Sequence, residues 1–208
     1  MGDLGSGGGV AGGIAEARLD DVAAIVASGR IGRVALARYS LRLESPADGD
    51  ADAQALWAAL MHGVRIATEV SGAPPRSVFA RVRGLPPASG ARSRHGIAHL
   101  VLEGGAIGAA EALLSPAATA EERLLVVGTA GTVRIGDGAD LAATLQTADG
   151  VERLWEAPCP PPRVTRGEAA TEEDGLGMVR AALERSAATG EPVDVARPSE
   201  PGGQSDGG

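Results

Sequence analysis

The sequence predicts an α+β fold, a mostly antiparallel open sheet with two to three helices packed on one face. Two observations carry this. Segments of alternating apolar and polar residues follow one another across short glycine turns, which is the pattern of hairpins. Apolar residues at helical spacing recur in three places only: near each end, and between the first two strands. Strands joined in succession by tight turns do not build a doubly wound nucleotide-binding sheet, where strand and helix alternate.

The elements follow in order. Residues 1–16 are dominated by glycine and read as a flexible tail. Within them Gly7-Gly8-Gly9-Val10-Ala11-Gly12 matches the spacing G-x-G-x-x-G. That spacing cradles a pyrophosphate only where a buried strand delivers it and a helix follows. Only six residues precede it, two of them glycine, so no apolar strand is available. Leu19, Val22, Ala23 and Val26 then repeat at helical spacing, and Gly29 supplies the stop.

Arg33 to Leu43 alternates as a strand, with Arg33, Arg38 and Arg42 not all on one face. Ser45 to Asp52 is a polar loop whose aspartates can cap the next helix. That helix runs from about Ala53 to Val70. Leu56, Leu60, Gly63 and Ala67 form one stripe, flanked by Trp57, Met61 and Val64; the opposite row is Ala58, His62, Arg65 and Glu69. After Gly72-Ala73-Pro74-Pro75, Arg76 to Gly84 reads as a strand, and a polar loop from Leu85 to Arg94 follows. Ile97 to Leu102 and Ala106 to Leu114 make a hairpin across Gly104-Gly105.

Arg123–Gly128 and Thr132–Gly136 pair across Thr129-Ala130-Gly131, with further strands near Leu141–Thr147 and Val151–Glu156. A proline-rich loop leads to a last helix opened by the capping box Thr171-Glu172-Glu173-Asp174, faced by Leu176, Val179 and Leu183, and ended by Gly190. Residues 199–208 are a second flexible tail, leaving residues 17–198 as one domain.

Composition narrows the function. Aromatics are limited to Tyr39, Trp57, Phe79 and Trp155, so the core is built from Ala, Val, Leu and Ile. Every basic residue other than histidine is arginine, which with the abundant Ala and Gly points to GC-rich bacterial coding. A net charge of −8 with no outweighing arginine cluster argues against a nucleic-acid partner. Cys159, alone in Ala157-Pro158-Cys159-Pro160, can form neither an intrachain disulfide nor a thiolate metal cage, and reads as a loop cysteine. There is no signal-peptide pattern, nor the roughly 20-residue apolar run a membrane span requires, so a cytoplasmic protein is expected.

Four motifs, in order, carry a family resemblance. They are Ser28-Gly29-Arg30-Ile31-Gly32-Arg33-Val34; Met61-His62-Gly63-Val64-Arg65-Ile66-Ala67 with Val70-Ser71-Gly72-Ala73-Pro74; Val127-Gly128-Thr129-Ala130-Gly131-Thr132-Val133; and Met178-Val179-Arg180-Ala181-Ala182-Leu183 with Gly190-Glu191-Pro192. Together they resemble the C-terminal domain of the Gfo/Idh/MocA oxidoreductases. The resemblance implies that the open sheet lines a substrate pocket and an oligomer interface. It also implies that the catalytic lysine and the dinucleotide site belong to an N-terminal Rossmann domain missing from this sequence.

His62 falls where the family often places a proton donor or acceptor at a substrate hydroxyl or carbonyl, work suited to an imidazole titrating near neutrality. The aspartate that the family usually carries four residues earlier is Ala58 here. His62 is therefore the one candidate catalytic residue, weighed against an exposed histidine on a solvated row beside Arg65 and Glu69. His99 reads as a half-buried sheet or interface position and His95 as a loop residue, while Asp137, Asp140 and Asp149 read as turn residues. No metal site and no Ser–His–Asp arrangement is expected.

The expected function is a substrate-domain and oligomerisation subunit that binds no cofactor alone and works with a Rossmann-containing, NAD(P)-dependent partner on a polyol- or sugar-like molecule. The alternatives are a cofactor-free homodimeric binding or scaffold protein using the same sheet face, a defunct fragment, and an independent enzyme. Neither nucleic acid nor membrane is an expected partner.

Overall fold

The computed structural model describes residues 9–11, 14–44, 50–85, 93–116, 118–136, 143–155, 163–165 and 176–195. Its elements are β1 (Gly9–Ala11), α1 (Ile14–Ala27), β2 (Val34–Glu44), α2 (Asp50–Ser71), β3 (Pro75–Leu85), β4 (Ser93–Leu102), β5 (Ile107–Ser115), β6 (Glu121–Gly128) and β7 (Gly131–Ile135). Then come β8 (Ala143–Thr147), β9 (Gly150–Trp155), β10 (Arg163–Thr165), α3 (Leu176–Thr189) and β11 (Val193–Asp194). Nine strands form one sheet in the order β11-β3-β4-β5-β2-β6-β7-β8-β9, and β1 pairs with β10 separately. Every neighbouring pair is antiparallel except the central β2 and β5, which run parallel. The α+β architecture read from the sequence is the one observed.

The alternation of β2 sets the two faces. Ala37, Tyr39, Leu41 and Leu43 are buried beneath the helices, while Arg38, Arg42 and Glu44 stand on the uncovered side. α2 lies across β4, β5 and β2, with α1 beside it toward β7 and α3 beside it over β3. The layer under α2 is built from small residues: Gly96 and Ala98 of β4, and Gly108, Ala110 and Ala112 of β5. A Cβ at Gly96 would lie 2.7 Å from Leu60 Cδ1, so the helix sits closer to the sheet than a larger residue would permit. This close layering is how a chain with so few aromatics fills its interior.

Two of the four motifs turn out to be one joint. Gly32 adopts φ +70, and a Cβ there would fall 2.3 Å from Thr129 Oγ1. Around it Arg33 N–H donates to Thr129 Oγ1 (3.1 Å), Thr129 N–H to the Arg33 carbonyl (3.0 Å) and Ala130 N–H to the Ile31 carbonyl (2.8 Å). Ile31 is fully buried between them. The closing motif does similar work, since Ser186 Oγ on α3 accepts from Ala80 N–H (3.0 Å) and donates to the Glu191 carbonyl (2.6 Å).

Several expectations change. The tail assigned to residues 1–16 is structured in part: Gly9–Ala11 is a strand paired with Arg163–Thr165, and α1 begins at Ile14. Its partner lies about 150 residues away in sequence, so no local pattern announces it. His95 belongs to β4, not to a loop; its polar surroundings suit a strand face that needs no apolar cover. β11, two residues long, has no periodicity to read. Residues 1–8, Cys159, Asp137, Asp140 and the box 171–174 lie outside the described residues. Among the described residues no helix is long and apolar enough to cross a membrane.

Candidate functional site

His62 is fixed by the packing of α2. Leu60 points at Gly96 of β4, whereas Gly63 sits over Tyr39 of β2 and Ala110 of β5. A Cβ at Gly63 would fall 2.6 Å from Tyr39 Cδ1 and 2.8 Å from Ala110 Cβ, so glycine lets the helix rest on the tyrosine ring. His62 is thereby turned to the β2 side of the helix, where its ring meets that of Tyr39 edge to face, with centroids 5.5 Å apart at 74°. The residue is half-buried and its Nε2 is shut off from solvent. This differs from an exposed histidine on a solvated row. Arg65 and Glu69 of that row do form an ion pair at 3.1 Å along the helix.

Sequence reasoning missed two buried residues of the sheet on its helix-covered face. Tyr39 is completely buried, and Glu122 of β6 is 2 % exposed. Both stand on the helix-covered face, because Glu122 is directly opposite Leu41 and Leu124 is opposite Tyr39. Apart from Asp52, in the first turn of α2, and Ser186, Glu122 is the only polar residue among those buried within the described core. A signal was present: Glu122 falls on the buried phase of the alternation Glu122, Leu124, Val126, where an apolar residue is the default.

The other two histidines lie on the uncovered face. His95 Nε2 is 3.1 Å from Glu111 Oε1, and Arg38 Nη2 donates to Glu111 Oε2 at 2.9 Å. Partial burial alone would raise the Glu111 carboxyl. The hydrogen bonds and charges of Arg38 and His95 more than offset it, holding the group below the usual carboxylate range. His99 is exposed, its ring edge-on to Phe79 at 6.4 Å. Nearby, Glu121 is flanked by Arg42 at 3.4 Å and by Arg123. Across this face an apolar row runs Val101, Ile107, Leu36, Val127 over β4, β5, β2 and β6. The face is therefore mixed, a charged centre beside an apolar row.

A groove of about 600 Å³ at the β8–β9 end is lined by Arg30, Asp149 and Glu152, but Arg30 and Glu152 are ion-paired and His62 lies several strands away. Asp149 sits exposed in the β8–β9 turn, as expected of a turn residue. Among the described residues no group of three His, Cys, Asp or Glu side chains could hold a metal.

The glycine-rich segment contributes Gly9–Ala11 to β1, which pairs antiparallel with β10 in a two-stranded sheet, whereas a dinucleotide cradle is built on a parallel βαβ unit.

The family model for the GFO/IDH/MocA C-terminal domain matches residues 19–134. No curated protein sequence matches the chain. Solved structures do, at low identity. An oxidoreductase domain protein from Kribbella flavida superposes with TM-score 0.62 at 17% identity, over 86% of this chain and 64% of that one. An oxidoreductase from Agrobacterium radiobacter, solved with NAD+, L-tartaric acid and magnesium, gives 0.59 at 20%, over 85% and 61%. Levoglucosan dehydrogenase with NADH and levoglucosan gives 0.60 at 16%, over 85% and 62%. The chain thus spans about three fifths of the length of these structures.

Proposed function

Because the chain belongs to the GFO/IDH/MocA family through its C-terminal domain, we propose that it forms the substrate-side wall of an NAD(P)-dependent oxidoreductase, with the dinucleotide domain contributed by a partner subunit. The observation that carries this is the placement of His62, held by α2 and Tyr39 in a partly buried position on the helix-covered side. An imidazole so placed can take up or release a proton at a substrate hydroxyl as the carbon beneath it is oxidised or reduced. The substrate class is a small hydroxylated molecule, a polyol or sugar. Two similar structures favour that class, one holding L-tartaric acid and the other levoglucosan. Hydride chemistry belongs to the cofactor, and no described residue of this chain is assigned to it.

The uncovered sheet face is the surface proposed for the partner. It joins an apolar row to a charged centre, the composition of an interface with a polar rim. Affinity capture of the tagged chain from its native extract tests the assignment. Stoichiometric recovery of a Rossmann-containing oxidoreductase, with NAD(P)-dependent turnover of a polyol by the complex, is the expected result. In that complex His62→Ala should lower kcat by about 100-fold or more while leaving assembly intact. Recovery of the chain alone as a homodimer, inert with NAD(P), would overturn the assignment and favour a cofactor-free binding or scaffold protein.

A further inference from the structure

The helix-covered side of the sheet is an aliphatic layer with a carboxylate in it. Around the Tyr39–His62 contact, β2 contributes Ala37 and Leu41, β5 Ala110 and Ala112, and β6 Leu124 and Val126, all buried. Glu122 breaks this pattern at 2 % exposure. Its Cα partner is Leu41, and Leu41 lies two residues from Tyr39 on the same face. The Tyr39–Glu122 relation is therefore a cross-strand diagonal, about 7–8 Å between backbones and within reach of a long side chain. Tyr39 is also the residue whose ring meets His62. β2 and β6 thus bring a buried acid to the side of α2 on which the histidine lies. α2 offers no acid one turn before His62, where the residue is Ala58.

We propose that Glu122 is the positioning residue of this site, the carboxylate that favours the charged His62 imidazole and orients the ring over Tyr39. The inference rests on the reading of His62 as the proton-transfer group, and it names the group that tunes it. Charge in an apolar layer is weakly screened, and a carboxylate there favours the protonated ring. Charged groups on the flanking helices have partners of their own. Arg65 pairs with Glu69 on α2, and Arg18 with Asp21 on α1, each pair at 3.1–3.2 Å. β5 presents only Ala110 and Ala112 here, and β2 only Tyr39 among titratable groups. Asp52 lies ten residues before His62 along α2, about 15 Å away at 1.5 Å per residue.

The test is an NMR pH titration of the His62 ring in the full chain, its signals assigned with His62→Asn. In Glu122→Gln the midpoint should fall by roughly one pH unit, and Glu122→Asp should recover part of that shift. A midpoint unchanged in Glu122→Gln overturns the proposal. The unaltered protein gives a second reading that needs no folded variant. The Glu122 side-chain carboxyl carbon should show an inflection at the pH where His62 titrates, and a flat response there overturns the proposal equally. Neither readout requires a partner or turnover. Coupled titration in a chain that supports no oxidoreductase activity would leave the Glu122–His62 pair standing and remove the enzymatic role. Activity lost in His62→Ala without coupling would do the reverse.

Discussion

Gly63 shows how much one missing side chain decides. Adding a methyl would drive a Cβ to within 2.6 Å of the Tyr39 ring and 2.8 Å of Ala110, and both neighbours are buried with no free space to retreat into. Gly63→Ala should destabilise the fold by about 1–3 kcal/mol, the usual cost of overpacking a closed layer. Urea unfolding would read this as a lower midpoint with an unchanged slope, and the His62 ring resonances should move because the helix lifts off Tyr39. Glu111 offers a different kind of test. Its folded carboxyl is held below its ordinary value, so the stabilisation it gives is present above the unfolded value and lost as pH falls through the folded one. Glu111→Gln should therefore be less stable than the parent at pH 7, and the two should converge in acid. A gap that persists undiminished at pH 3 would show that packing, not charge, accounts for the difference.

Among the elements, the joints between distant segments matter more than the strands themselves. β11 is two residues long and begins opposite Val78, and just before that start the side chain of Ser186 serves as acceptor for the Ala80 N–H at the edge of β3. Ser186→Ala leaves that buried donor unpaired and should cost about 1–3 kcal/mol, measurable by thermal or urea unfolding. The long elements were legible because each carries its own signal. β2 alternates residue by residue, α2 repeats Leu56, Leu60, Gly63 and Ala67, and the turns at Gly72 and Gly190 adopt positive φ. What escaped was non-local. Gly9–Ala11 becomes a strand only because Arg163–Thr165 lies beside it. Glu122 falls one residue before the strand read from the sequence, Arg123–Gly128, and its place on the helix-covered face follows only from the β2–β6 register. Two of the four family motifs proved to be one structural joint, around Ile31 and Thr129, so their spacing reports on the fold and not on chemistry.

For the molecule as a whole, the two faces of the sheet carry different burdens. The covered face is closed by three helices, so its stability is internal. The uncovered face leaves Val101 40% and Ile107 39% exposed, directly opposite each other in the β4–β5 register and continuous with Leu36 and Val127. Exposed apolar rows of this kind are the usual core of an association surface, rimmed here by Arg38, Glu111 and His95. Under the proposed assembly, Ile107→Glu combined with Val101→Glu should abolish association while leaving the monomer folded, since both side chains point away from the core. Circular dichroism should be unchanged, and sedimentation velocity should show loss of the complex by at least tenfold in apparent affinity. The Val101→Arg, Ile107→Arg pair, which puts charge of the opposite sign into the same apolar row, should disrupt association as well. If both double variants associate as the parent does, the partner does not dock on this face, and the mixed sheet surface is free in the working protein.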